Sequence, residues 1–190
     1  MSTKDKIFET AGRLFKEKGY DNITINNICE ACGITKTTFY YHIGSKQKII
    51  LRFYDHIIDN LAPLLIQMLD TTSNWEQLIL LFDTLLQNIS ELGANVNSQL
   101  LIINLQKNQG TFDLRKNLEE IAISIIRRCQ QSKEIHNLND ASQLYSAAAY
   151  MFTGYEYRWC VLNGEFDWKE QFYRSLENIF DVDPALRKYS

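Results

Sequence analysis

The sequence predicts an all-α fold, and three observations carry that expectation. Its 190 residues include only two prolines and eight glycines, few for a turn-rich β architecture. Leu, Ile, Glu, Gln and Lys are abundant, and most of these are good helix formers. Apolar residues recur at three- and four-residue spacing along most of the chain, as amphipathic helices require. With 45% hydrophobic residues the chain can bury a core, and about nine helices are expected. No apolar run approaches the roughly 18 residues of a membrane span. The polar opening Met-Ser-Thr-Lys-Asp-Lys has no leader character, so the expectation is a soluble cytoplasmic protein with no membrane partner.

The first helix buries Ile7, Ala11, Leu14 and Phe15, closes at Gly19 and sets Tyr20 across its end. Thr24 caps a short second helix whose Ile25, Ile28, Cys29 and Cys32 pack inward, and Gly33 supplies a tight turn. Thr35 then caps a third helix within Ile34–His42. Its Phe39 points to the core, while Lys36, Thr37, Thr38, Tyr41 and His42 offer hydroxyls, a cation and aromatic groups suited to base edges and phosphates. Helix, glycine turn, helix is the helix-turn-helix pattern.

After Gly44, Ser45 caps a long linking helix through Ile49, Ile50, Phe53, Ile57 and Leu61, with a bend or break expected at 59–63 because of Pro63. Ser73 and Glu76 form a capping box for a helix through Leu78, Leu81, Phe82, Leu85 and Ile89. Gly93 precedes a helix with Leu100, Leu101, Ile103 and Leu105, and Leu118, Ile121, Ile125 and Ile126 mark the next one. The last two helices start near Asn139 or Asp140 and near Asp167. Small residues at Ala147, Ala148, Ala149 and Gly154 allow close helix approach, and Met151, Tyr155, Trp159 and Phe172 are large anchors of an interfacial type.

The net charge of −3 divides unevenly. Residues 1–56 carry nine Lys/Arg against six Asp/Glu, and residues 57–190 carry eleven against seventeen. A basic head on an acidic body fits a nucleic-acid module joined to a sensing or assembly module. Catalysis finds no support, since metalloprotease, phosphate-loop and nucleophile-elbow motifs are missing. Cys29 and Cys32 have the spacing of half a zinc site, but Cys129 and Cys160 lie far along the chain. Packed thiols are the expectation, with no metal and no cofactor. A thiol-responsive regulator using Cys29 and Cys32, or a helical interaction or adaptor protein, is the alternative.

Phe15, Gly19-Tyr20, Thr24-Ile25, Ile28, Ala31-Cys32-Gly33-Ile34-Thr35-Lys36, Thr38-Phe39-Tyr40-Tyr41-His42 and Ser45-Lys46 together resemble the N-terminal domain of the tetracycline-repressor (TetR) family of transcriptional regulators, over about residues 5–56. Thr37, where the family often has glycine, leaves the base preference open. The resemblance implies a helix-turn-helix domain at 1–46 and a larger helical effector-binding and dimerisation domain at 47–190. It implies a homodimeric repressor released from a palindromic double-stranded DNA operator by a small, apolar or aromatic effector. Thr24, Thr35, Lys36, Thr37, Thr38, Tyr40, Tyr41, His42 and Lys46 are the expected DNA contacts. Leu61, Phe82, Leu86 and Tyr150 are the expected pocket walls. Ala148, Met151, Tyr155, Trp159, Phe172, Leu176 and Ile179 are the expected dimer contacts.

Overall fold

A computed structural model describes the backbone of residues 1–59, 62–111 and 116–189, and the side chains of these except 54–59, 62, 63, 65, 116 and 117. Among the described residues are ten α-helices: α1 (Thr3–Lys18), α2 (Ile25–Cys32), α3 (Lys36–His42), α4 (Lys46–Asp59), α5 (Ala62–Met68), α6 (Asn74–Leu92), α7 (Ala94–Gln106), α8 (Lys116–Gln131), α9 (Ala141–Val161) and α10 (Lys169–Phe180). The tenth arises at the expected interruption: α4 ends at Asp59 and α5 begins at Ala62, which puts Pro63 in a first turn, where its missing N–H costs least. Leu61 lies outside the described residues.

The chain forms two compact units, and their boundaries differ from a division at residue 46. One comprises residues 1–59 and 88–111, the other 60–87 and 112–190. The first unit therefore holds α1–α4, α7 and the end of α6. Its core is built from Ile7, Ala11, Phe15, Ile28, Phe39 and Ile49, all fully enclosed. Each of its short helices is capped by its own sequence. Ser2 and Asp5 form a reciprocal box on α1, Thr24 and Asn27 do so on α2, and the Thr35 hydroxyl accepts from the Thr38 amide on α3. Gly33, at φ 65°, makes the left-handed turn from α2 to α3 that a β-carbon would strain.

The turn between α1 and α2 is held from two other helices. The Tyr20 N–H donates to Asn95 Oδ1 of α7 at 2.7 Å, and the Tyr20 carbonyl accepts from Lys46 Nζ of α4 at 2.5 Å. The same ammonium lies 3.7 Å from the centre of the Tyr20 ring, which meets Phe15 edge-on at 5.0 Å. Burial lowers the Lys46 pKa, and the charge of Asp21 partly offsets this. Asp21 also accepts from Gln99 of α7.

The second unit is organised around aromatic side chains. Phe82 of α6, Phe152 of α9 and Phe172 of α10 meet at centroid separations of 5.3–5.9 Å, and Trp168 packs on Phe152 at 5.1 Å. Trp75 at the start of α6 is 5.6 Å from Phe180, and its amide donates to Glu134 at 2.6 Å. The C-terminal segment folds back on α10. The buried Glu177 carboxylate accepts the amides of Lys188 and Tyr189, and the Tyr189 ring stacks on Tyr173.

Replacing Lys46 by Met removes the shorter of two bonds to the Tyr20 carbonyl, the other coming from the Ile23 N–H, and the cation above its ring while keeping the aliphatic stem. A loss of about 1–3 kcal/mol in urea unfolding is expected. Lys48→Met, one turn position away on an exposed face, should change stability by less than about 0.5 kcal/mol.

Candidate nucleic-acid interface

α3 is the element whose outward face is left without employment inside the chain. Phe39 anchors it, fully buried. Around that anchor Lys36, Thr37, Tyr40 and Tyr41 are exposed, with Tyr41 at 85% and Tyr40 at 51%. None of the four has a hydrogen bond or ion pair among the described residues. Half-buried His42 sets its ring edge-on to Tyr41 at 5.0 Å. A cation, a hydroxyl, two phenols and an imidazole thus stand together on one seven-residue helix, the chemistry needed for base edges and phosphate oxygens.

The threonines are differently placed. Thr35 Oγ1 accepts from the Thr38 amide at 3.1 Å and lies 2.9 Å from Thr38 Oγ1, so these two hydroxyls serve the cap first. Thr24 Oγ1 accepts from the Asn27 amide at 3.2 Å and donates to Asn27 Oδ1 at 2.7 Å. Each of these hydroxyls stands at a helix start, where unpaired amides and the dipole attract an anion. Lys46 departs furthest from the expected phosphate contact. Its ammonium is turned inward to the Tyr20 carbonyl, where it braces the motif. The exposed cation of the first turn of α4 is instead Lys48, whose amide is capped by Ser45 and whose chain lies over Gly44. Its position three residues after the capping serine was the signal in the sequence.

Phe82, Leu86 and Tyr150, expected as pocket walls, do not line the cavity between α5, α6 and α8, one of two described in the second unit. Phe82 is enclosed in the aromatic cluster, Leu86 is closed off in the core, and Tyr150 is 68% exposed on the outside of α9. An open cavity of about 630 Å³ lies between α5, α6 and α8, with apolar walls from Met68, Leu69, Ile121 and Ile125 and polar ones from Gln77, Glu120, Ser124 and Arg128. Arg128 donates to Gln77 across it at 2.7 Å.

The expected dimer contacts divide in two. Ala148, Phe172 and Leu176 are fully enclosed in the chain's own core, so they have no surface left for a second copy. Met151, Tyr155, Trp159 and Ile179 are half-buried, and the Tyr155 hydroxyl is 3.1 Å from Ser175 Oγ. The outward stripe of α9 runs one residue away, through Ala147, Tyr150, Gly154, Tyr157 and Val161, all exposed at alternating three- and four-residue spacing. Cys29 and Cys32 are both buried, and burial pushes the Cys29 thiol up, which keeps it protonated and unreactive. No described helix is long and apolar enough to cross a membrane.

Comparison with known proteins agrees with this geometry. Residues 7–53 match the family described as bacterial regulatory proteins, tetR family. The biofilm operon icaADBC HTH-type negative transcriptional regulator IcaR of Staphylococcus aureus is 30% identical over 146 residues, covering 74% of this chain and 72% of its own. The fatty acid degradation regulator FadR of Bacillus halodurans has the same fold, with a TM-score of 0.69 at 16% identity over 95% of both chains. So does a putative transcriptional regulator from Saccharomonospora viridis in complex with choline, with a TM-score of 0.67 at 22% identity over 95% of this chain and 97% of that one. With its three-helix head capped as the motif demands and a relative matched along most of its length, this chain belongs to the TetR family of DNA-binding transcriptional regulators, which are not enzymes.

Proposed function

We propose that the protein is a cytoplasmic homodimeric repressor that lays α3 in the major groove of each half of a palindromic operator and leaves the DNA when a small molecule enters its helical body. The observation that carries the reading is the unemployed face of α3. Lys36 and Thr37 in its first turn read base edges, with Thr38 beside them. Tyr40, Tyr41 and His42 meet phosphate or sugar, as do the capping threonines Thr24 and Thr35 and the exposed Lys48. Lys46 acts by bracing. IcaR, described as a negative regulator, supports repression.

The second copy sits on the outer stripe of α9. Gly154 lets two helix backbones approach, and Tyr150 and Tyr157 flank it as anchors. Two-fold symmetry then gives two α3 helices matched to half-sites about 34–36 Å apart or a near multiple. The cavity beside Met68, Ile121 and Ile125 has the size of a small-molecule site, and its four apolar side chains support an apolar or aromatic effector, with Glu120 and Arg128 among its polar walls. The choline-bound neighbour supports a ligand-taking body in this fold.

Gel shifts test the reader. The double variant Lys36→Ala, Tyr41→Ala should lose at least about tenfold in operator affinity with an unchanged melting temperature, whereas unaltered affinity would reject α3 as the reader. Lys48→Ala should reduce the slope of log affinity against log salt by about 1 in magnitude. Sedimentation tests assembly. A β-carbon at Gly154 meets open space within the chain, so Gly154→Arg should fold normally yet run as a 22.2 kDa monomer. A persistent dimer would place the interface elsewhere.

A further inference from the structure

One buried acid in the second unit has no employment in the fold. The core-facing stripe of α9 runs through Ala141, Tyr145, Ala148, Phe152, Glu156 and Cys160, so Glu156 occupies a position that otherwise takes apolar or aromatic side chains. It is 4% exposed, and it makes no hydrogen bond or ion pair with any described residue. A carboxylate held this way costs several kcal/mol by desolvation, and burial alone pushes Glu156 up to about 7.

Among the described side chains, the charged groups of α8 and α10 do not relieve it, and on α6 Asp83 is bound by Tyr173 and Lys169 and Glu76 by Thr72 and Lys188. On α10, Lys169, Glu170 and Arg174 are exposed, Tyr173 donates to Asp83, and Glu177 is taken by the tail amides. On α8, Glu120, Arg127 and Arg128 are exposed, Glu119 is half-buried, and Cys129 is a buried thiol pushed to about 12. The neighbourhood along the chain is aromatic. Phe152, one turn back on the same face, joins Phe172 and Trp168, and Tyr155 stacks on Trp168 at 5.9 Å with an interplanar angle of 9°.

We propose that Glu156 is the recognition group for an organic ammonium ligand taken up by the helical body, its carboxylate neutralising the cation and the adjoining aromatic rings receiving the alkyl-ammonium surface. The pairing supplies the counter-charge that this site lacks, and aromatic faces favour a poorly hydrated cation. The inference rests on the reading that the body binds small molecules; Glu156 does not line the cavity beside Met68, Ile121 and Ile125, so the ammonium class belongs to this second position and not to that cavity. Binding is coupled to ionisation. A cation that needs the carboxylate displaces its proton, so affinity should rise about tenfold between pH 6 and pH 8.

The experiment uses the whole protein without DNA, so that failure of induction and failure of this site are separable. Thermal unfolding and calorimetry are run with choline, benzyltrimethylammonium and spermidine, with 3,3-dimethylbutan-1-ol as the neutral counterpart of choline. At least one ammonium compound should raise the melting temperature of the wild type by several degrees and release protons near pH 7, while the neutral alcohol and the isosteric variant Glu156→Gln give no response. Without ligand, Glu156→Gln should match the wild type at pH 5 and exceed it at pH 8. The folded pKa lies above the unfolded one, so the wild type alone loses stability as pH rises through that window. The proposal is overturned if no ammonium compound shifts the wild type, if Glu156→Gln responds equally, or if Glu156→Gln is the less stable at pH 8. That last result would mean that the carboxylate is already answered within the chain.

Discussion

The backbone of Tyr20, its N–H and its carbonyl, is the fixed point of the head. A turn between two helices leaves an amide and a carbonyl to be satisfied, and a buried backbone group without a partner is costly. Here the amide is answered from α7 at 2.7 Å, and the carbonyl from α4 at 2.5 Å and, within the turn, by the Ile23 N–H at 3.2 Å. The turn that sets α2 against α1 is thereby tied to two helices that are not part of the helix-turn-helix itself. Since α3 is seated on α1 and α2, the orientation of its exposed face depends on these bonds as much as on Phe39 beneath it.

This arrangement explains why Lys46 does not face outward. A lysine at the start of a helix reads as an anion contact when only local geometry is considered. The ammonium instead finds a carbonyl and the face of an aromatic ring within its own unit, and it accepts the desolvation in exchange. The exposed cation of that first turn is Lys48, two residues on. The contact to Asn95 is separated from Tyr20 by 75 positions in the chain, and no short-range pattern announces it. The grouping of α7 with the head was invisible for the same reason.

What could be read from the sequence follows where the chemistry is local. Thr24, Thr35, Gly19, Gly33 and Phe39 each announce a cap, a turn or an anchor through their own neighbours, and each is found in that role. α9 defeated the same reading because apolar and aromatic residues surround it. With Ala148 and Phe152 on one face and Tyr150 and Tyr157 on another, spacing identifies a helix but not which stripe is inward. By that ambiguity the spacing assigns the fully buried Ala148, Phe172 and Leu176 to a surface and the exposed Tyr150 to the interior. Packing against α8 and α10 decides the matter, and packing is not a local property. Glu156 hides in the same helix, since a single acid among aromatic residues looks like a solvated position until its stripe is known.

The central claim is that two copies of the chain present the α3 face to two-fold-symmetric DNA. Selection of binding sites by the purified protein from a pool of random-sequence duplexes tests this most directly. The account predicts enrichment of an inverted repeat whose half-site centres lie about 34–36 Å apart or a near multiple. A pool that fails to enrich, or one that yields a single asymmetric site, would contradict it.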